Sequence, residues 1–162
     1  MTTTSYAIAL GSNRRGRHGH PQAEVRAALA AIGAAIGEVR AVSPIITTAP
    51  IGPSIRAFAN AAALVDSPLD PPAMLKRLKA IERDFGRRRG QRWGARVIDL
   101  DIVLWSGGVW RSPGLAVPHP AYAARDFVLH PLAGIAGDWR DPRDGRRVRH
   151  LRHGVDRRRP RP

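Results

Sequence analysis

The chain has 162 residues, 43% of them hydrophobic, enough for one domain with an ordinary buried core. It contains no cysteine, which excludes disulfides and thiolate metal sites and permits a reducing compartment, and its start, Met1-Thr2-Thr3-Thr4-Ser5, lacks a basic region leading into an apolar stretch. No apolar run is long enough to span a bilayer, so a cytoplasmic chain without a membrane partner is expected, while a formal charge of +14 and a pI near 11.8 raise nucleic acid as a partner.

Tyr6 to Leu10 is a short apolar run closed by Gly11-Ser12-Asn13, which predicts a first strand. After an arginine- and histidine-rich loop, Val25, Ala28, Leu29, Ile32 and Ile36 recur at helical spacing between Pro21 and Gly37, so a helix is predicted over 21–36. Residues 39–48 predict a second strand, with Pro44 forcing an edge or a bulge, and residues 57–65 a third. Asp70-Pro71-Pro72 starts a second helix carrying Met74, Leu75, Leu78, Ile81 and Phe85. A fourth strand covers 97–105, Gly107-Gly108 suggests a hairpin, and a loop with short helices fills 117–136. The order βαββαβ predicts an α+β, ferredoxin-like core, an antiparallel sheet with helices on one face.

Charge is unevenly spread. Residues 139–162 hold ten arginines against Asp141, Asp144 and Asp156, and so contribute +7. That composition predicts a domain over 1–138 and an arginine-rich, flexible tail over 139–162.

The chemistry is expected at Trp93-Gly94-Ala95-Arg96-Val97-Ile98-Asp99-Leu100-Asp101-Ile102. Side chains alternate across a strand, so Asp99 and Asp101 share one face while Ile98, Leu100, Ile102 and Leu104 take the other. At a rise of about 3.3 Å per residue the two Cα atoms lie roughly 6 to 7 Å apart. Carboxylates so close favour a shared hard cation, and Mg²⁺ prefers such oxygen ligands. Immediately upstream, Arg87, Arg88, Arg89, Arg92 and Arg96 fall within ten residues without an acidic neighbour. Arginine's planar fork suits phosphate oxygens. An Asp-x-Asp strand beside an arginine loop supplies the two electrostatic parts of phosphoryl transfer.

This stretch, followed by Val117-Pro118-His119-Pro120 and Arg125-Asp126-Phe127-Val128-Leu129, resembles the 6-hydroxymethyl-7,8-dihydropterin pyrophosphokinase family. Ala9-Leu10-Gly11-Ser12-Asn13, Thr48-Ala49-Pro50-Ile51-Gly52-Pro53 and Phe58-Ala59-Asn60 extend the resemblance over about residues 6–137. It implies transfer of the β,γ-diphosphate of ATP to a dihydropterin hydroxymethyl group, with release of AMP, in folate biosynthesis. It further implies that Asp99 and Asp101 hold two Mg²⁺ ions and that Arg87 and Arg96 are catalytic arginines of mobile loops. Glu82, Arg89, Trp93, His119 and Arg125 would contact the nucleotide. Phe58 and Phe127 would sandwich the pterin ring, Asn60 would read its polar edge, and Thr48, Ala49 and Ile51 would complete that pocket. The implied partners are ATP and the pterin alone, bound by a monomer.

Four features depart from the family pattern: a longer, more basic loop over 14–20, a shorter loop over 87–93 than in some relatives, Ala95 in place of a common proline, and Gly114 where some members carry a basic residue. The rival reading is an RNA-binding module of the same topology, favoured by the charge. Neither 57–65 nor 97–105 carries the paired aromatics on which such modules stack bases.

Overall fold

β1 (Thr4–Ser12) is the inner strand on which the fold is assembled. Its Tyr6, Ala7 and Ile8 are wholly buried, which is why this segment reads as continuously apolar instead of alternating. The computed structural model describes residues 2–48, 58–86 and 97–152. Over these residues the elements run β1, α1 (Pro21–Ala35), β2 (Glu38–Val42), β3 (Ile46–Thr48), β4 (Phe58–Ser67), α2 (Pro71–Gly86), β5 (Asp99–Trp105), β6 (Trp110–Ser112), β7 (Leu115–Val117) and α3 (Asp126–Ala136). The main sheet is antiparallel in the order β2-β4-β1-β5, with β3 also on β4. This is the predicted βαββαβ core, its second strand divided at Ser43-Pro44. Proline has no N–H to continue the ladder. Ser43 bridges the break instead: its N–H donates to Ala62 O at 2.9 Å and its Oγ accepts from Ala62 N at 2.9 Å.

Both predicted helix starts hold. Asp70 Oδ1 accepts from Ala73 N at 2.9 Å, and His20 Nδ1 accepts from Ala23 N at 3.4 Å ahead of Pro21. Against α1 and α2 the sheet presents Tyr6, Ile8, Leu10, Ala61, Ala63, Val65, Ile98, Leu100 and Ile102. The opposite face is covered by α3 and the chain after it. Ala7, Ala62, Val103 and Leu104 pack there with Tyr122, Val128, Leu129, Leu132, Val148 and Leu151. Leu104 therefore departs from its predicted face. Ile8 pairs with Ile102 but Ala7 with Leu104, so Val103 is an extra residue in β5, and this bulge turns Leu104 toward α3.

Two other expectations need correction. The hairpin turns at Pro113-Gly114, where Gly114 has φ +76°, and Gly107-Gly108 only links β5 to β6. Nor is structure lost at Asp138: Arg140 bridges Arg147, Asp141 is buried, and Val148 and Leu151 enter the second core. Two apolar side chains and one acid are buried in a segment whose composition is otherwise largely arginine.

Candidate functional site

Where β1, β4 and β5 end beside α3, the face that carries the second core opens into a cleft of about 350 Å³. It is lined by Ala9, Leu10, Gly11, Ser12, Asn13 and Phe58, by Asn60, Asp99 and Asp101, and by Arg125, Phe127 and Val128. The cross-strand register explains the grouping. Gly11 pairs with Asn60 on one side and Asp99 on the other, and Ala9 pairs with Ala62 and Asp101. Directly opposed residues share a face, so Asn60, Asp99 and Asp101 stand on one surface, with only Ala9 and Gly11 between them. Strand spacing places Asn60 and Asp99 roughly 10 Å apart. Small residues on β1 make the depression: a Cβ on Gly11 would lie 3.0 Å from Asn60 Oδ1.

Two of the chain's three phenylalanines border the cleft and remain 41% and 47% exposed, Phe58 and Phe127, whereas Phe85 is 5% exposed in the first core. Exposed aromatic faces on the rim of an apolar cleft suit a flat ring. Arg125 lies with its guanidinium carbon 5.8 Å from the Phe127 ring centroid. Asn60 is 6% exposed and lines the cleft, and its amide carries two donors and an acceptor.

The acidic side of the cleft is built on the edge strand. Asp99 is exposed and Asp101 half-buried, in a chain of strongly positive charge. Ser12, itself buried, donates from Oγ to Val97 O at 2.6 Å and ties the end of β1 to the approach of β5. His119 is fixed by its N–H to Val103 O at 2.9 Å and by its Nδ1, which accepts from Ala121 N at 3.1 Å. With Nδ1 so engaged, the neutral ring carries its proton on Nε2. Burial holds the imidazole below its ordinary pKa; nearby Asp101 pulls it up, and Arg125 pushes it further down. A neutral donor beside a carboxylate pair and an arginine can hydrogen-bond phosphate oxygen without competing for a cation.

Among the described residues no group of three His, Cys, Asp or Glu could hold a metal by itself. Two adjacent carboxylates with open space before them suit Mg²⁺, which keeps waters and takes the rest of its octahedron from substrate phosphates.

Of the residues expected from sequence, the cleft unites Phe58, Asn60, Asp99, Asp101, Arg125 and Phe127, with His119 adjoining. Thr48 ends β3, paired with Phe58. Arg87, Arg89, Trp93, Arg96, Ala49 and Ile51 lie outside the described residues. Glu82 stands apart from the cleft lining. It is 7% exposed, its Oε1 accepts from Leu100 N at 2.9 Å, and Lys79 Nζ is 3.6 Å from its Oε2, so it fastens α2 to β5. Sequence reasoning passed over Gly11 as a site residue, although a glycine inside a strand is itself a sign of close approach.

A family profile described as 7,8-dihydro-6-hydroxymethylpterin-pyrophosphokinase (HPPK) matches residues 7–137. The chain is 43% identical over 147 residues to the 2-amino-4-hydroxy-6-hydroxymethyldihydropteridine pyrophosphokinase of Pseudomonas aeruginosa, covering 89% of this chain and 87% of that protein. To the protein of the same name from Bacillus subtilis it is 38% identical over 164 residues, covering 96% of each. Among solved structures, wild-type Plasmodium falciparum HPPK-DHPS superposes with a TM-score of 0.73 at 14% identity. That match covers 94% of this chain but 45% of the Plasmodium chain, and at such identity it is a likeness of fold.

Proposed function

The chain belongs to the 7,8-dihydro-6-hydroxymethylpterin-pyrophosphokinase family, and from that premise we propose that the cleft binds the pterin between Phe58 and Phe127 and transfers the β,γ-diphosphate of ATP beside Asp99 and Asp101. It is an ATP-using pyrophosphokinase of folate biosynthesis. In the transfer, the hydroxymethyl oxygen attacks the β-phosphorus, its proton is lost, and the bond from that phosphorus to the oxygen bridging to the α-phosphate breaks, so AMP departs with the bridging oxygen.

The observation that carries this reading is the shared register partner: Asn60 and Asp99 both pair with Gly11. One small residue thus separates an amide suited to a pterin edge from a carboxylate suited to a metal. Asp99 and Asp101 would hold Mg²⁺, two ions in this reading, which would neutralise the triphosphate and polarise the attacked phosphorus. His119 and Arg125 orient phosphate oxygens beside the carboxylates. Arg87 and Arg96 meet the charge that grows toward the AMP side, and Arg89 and Trp93 hold the nucleotide. Asn60, with Thr48, Ala49 and Ile51, selects the pterin. Binding both substrates on one rigid sheet face supplies orientation that is otherwise an entropic barrier.

No described helix is long and apolar enough to cross a membrane. The two substrates are small molecules, and we assign the working form as a cytoplasmic monomer without a specific nucleic-acid partner.

The test combines protein, MgCl₂, ATP and 6-hydroxymethyl-7,8-dihydropterin and measures AMP. Asp101→Ala should lower kcat at least about a thousandfold with an unchanged circular dichroism spectrum. Near-normal turnover of that variant at ordinary Mg²⁺ would overturn the metal assignment, and no AMP from the wild type would overturn the whole reading.

A further inference from the structure

Beyond residue 137, where the family profile ends, the chain turns back and becomes part of the support for the cleft wall. Asp141 N–H donates to Arg146 O at 2.8 Å, Gly145 N–H to Asp141 O at 2.8 Å, and Val148 N–H to Trp139 O at 2.9 Å, which makes a tight loop with Gly145 at φ +75°. Asp141 is 1% exposed and its carboxylate accepts four hydrogen bonds. They come from Tyr122 Oη at 2.6 Å, Arg143 N at 2.9 Å, Arg143 Nε at 3.0 Å and Arg143 Nη2 at 2.7 Å. Burial raises the acid's pKa, but the Arg143 and Tyr122 hydrogen bonds outweigh it and bring it down to about 2. Asp141 therefore remains a carboxylate throughout the working range of an enzyme.

Tyr122, also 1% exposed, lies three residues after His119 and three before Arg125. Its stretch of chain, between β7 and α3, contains a 3-10 turn of three residues as its regular structure. Val148 and Leu151 share one buried cluster with Tyr122, Val128 and Leu129, and Val128 reaches the cleft. An apolar contact alone leaves the ring free to slide. The charge-assisted bond from Tyr122 Oη fixes its height and rotation.

We propose that Asp141 is a positioning residue for the transfer: through Tyr122 it holds the 119–128 arm, and with it His119, Arg125 and Phe127, at a fixed distance from Asp99 and Asp101. This inference rests on the functional reading above and deepens it. A buried, fully bonded charged cluster is poor evidence of net stabilisation, since an apolar replacement is often as stable; its distinctive contribution is directional. It also gives Asp141 a role in catalysis although it does not line the cleft.

The experiment uses the full-length protein and three variants. Tyr122→Phe removes one hydroxyl and leaves Asp141 with the Arg143 fork. Asp141→Asn keeps the shape and weakens the bond. Leu151→Ala loosens the same segment through the core without touching the phenol. Well below the melting temperature, Tyr122→Phe and Asp141→Asn should each lower kcat/KM for ATP about tenfold, and together no more than the larger single effect. Leu151→Ala should lower Tm at least as much and keep kcat/KM within about twofold of wild type. Should Tyr122→Phe fail to fold, Arg143→Gln, which frees Asp141 from the outer side, takes its place with the same expectation. Wild-type kinetics in the folded Tyr122→Phe or Arg143→Gln enzyme, or equal loss of turnover in Leu151→Ala, would overturn the proposal and leave the functional reading intact. Absence of AMP formation by the wild type would overturn both.

Discussion

Gly11 is where Asn60, which in the proposed reading binds the pterin edge, adjoins the carboxylates, and Gly11→Ala probes that arrangement with a single methyl group. Its Cβ would meet Asn60 Oδ1 at 3.0 Å, so the amide must withdraw by a few tenths of an ångström. Asn60 is 6% exposed and has little room in which to do so. Gly11 has no positive φ, so alanine is allowed by the backbone and gains about 0.5 to 1 kcal/mol over glycine in a strand. Crowding costs about as much, and Tm should move by no more than about 4 °C. Binding should suffer more. If the displaced amide forfeits two hydrogen bonds to the pterin edge, each worth about 0.5 to 1.5 kcal/mol net, KM for the pterin rises roughly five- to 150-fold. The assay is AMP release with pterin varied at saturating ATP and Mg²⁺, in wild-type and Asn60→Ala backgrounds. If the methyl group acts through Asn60, it has little further effect once the amide is gone. A pterin KM within twofold of wild type, or an equal rise in both backgrounds, would refute the reasoning.

Glu82→Ala should cost about 1 to 3 kcal/mol, because the buried N–H of Leu100 loses its acceptor; chemical denaturation measures this, and an unchanged midpoint with a raised ATP KM would instead make Glu82 a nucleotide ligand. For His119, burial and Arg125 hold the folded-state pKa below the unfolded value near 6.5, against the pull of Asp101. The unfolded chain then takes up the proton first, so this contribution to stability is whole above about pH 6.5 and is lost as pH falls through the folded value. His119→Gln should flatten the fall in urea midpoint between about pH 7 and pH 5, and parallel profiles would contradict the assignment. A chain ended at Asp138 loses the burial of Val148 and Leu151 and leaves Tyr122 without its acceptor, roughly 5 kcal/mol in all, enough to unfold a marginally stable domain. One ended at Arg152 should keep its AMP-forming activity while losing salt-sensitive affinity for heparin, since Arg157, Arg158, Arg159 and Arg161 are removed; equal stability of the two truncations would remove residues 139–152 from the core.

Most strands and both long helices were legible in the sequence because their signals are local. The Asp70-Pro71-Pro72 cap and the apolar spacing from Met74 to Phe85 specify a helix before any partner is known. Asp99 and Asp101 are two residues apart, so strand periodicity alone puts them on one face, and that expectation holds through Ile102. It fails at Leu104, where the bulge at Val103 shifts the period, because a bulge is settled by which neighbour pairs best. The split at Ser43-Pro44 was half visible, since Pro44 announces the interruption but not the Ser43 bonds that carry the chain across it.

Other features of the cleft have no local signature. Pairing of Gly11 with Asn60 and Asp99 joins residues 49 and 88 positions apart, and nothing within any one segment announces it. Arginine-rich composition predicts a solvated tail over 139–152, yet the segment docks through Val148, Leu151 and Asp141 among its other contacts. For Glu82, resemblance points toward a nucleotide, and the tertiary structure adds what no local signal shows, that the packing of α2 on β5 brings its carboxylate to a backbone N–H. By itself the sequence determined the order of elements and the paired carboxylates on their strand face, both set by spacing and residue chemistry, while the aromatic and amide residues for a flat ligand were implied by the family resemblance. Only the tertiary structure decided which distant segments meet at Gly11 and that the end of the described chain braces the cleft, because those outcomes depend on cross-strand register and on burial shared between segments far apart in sequence.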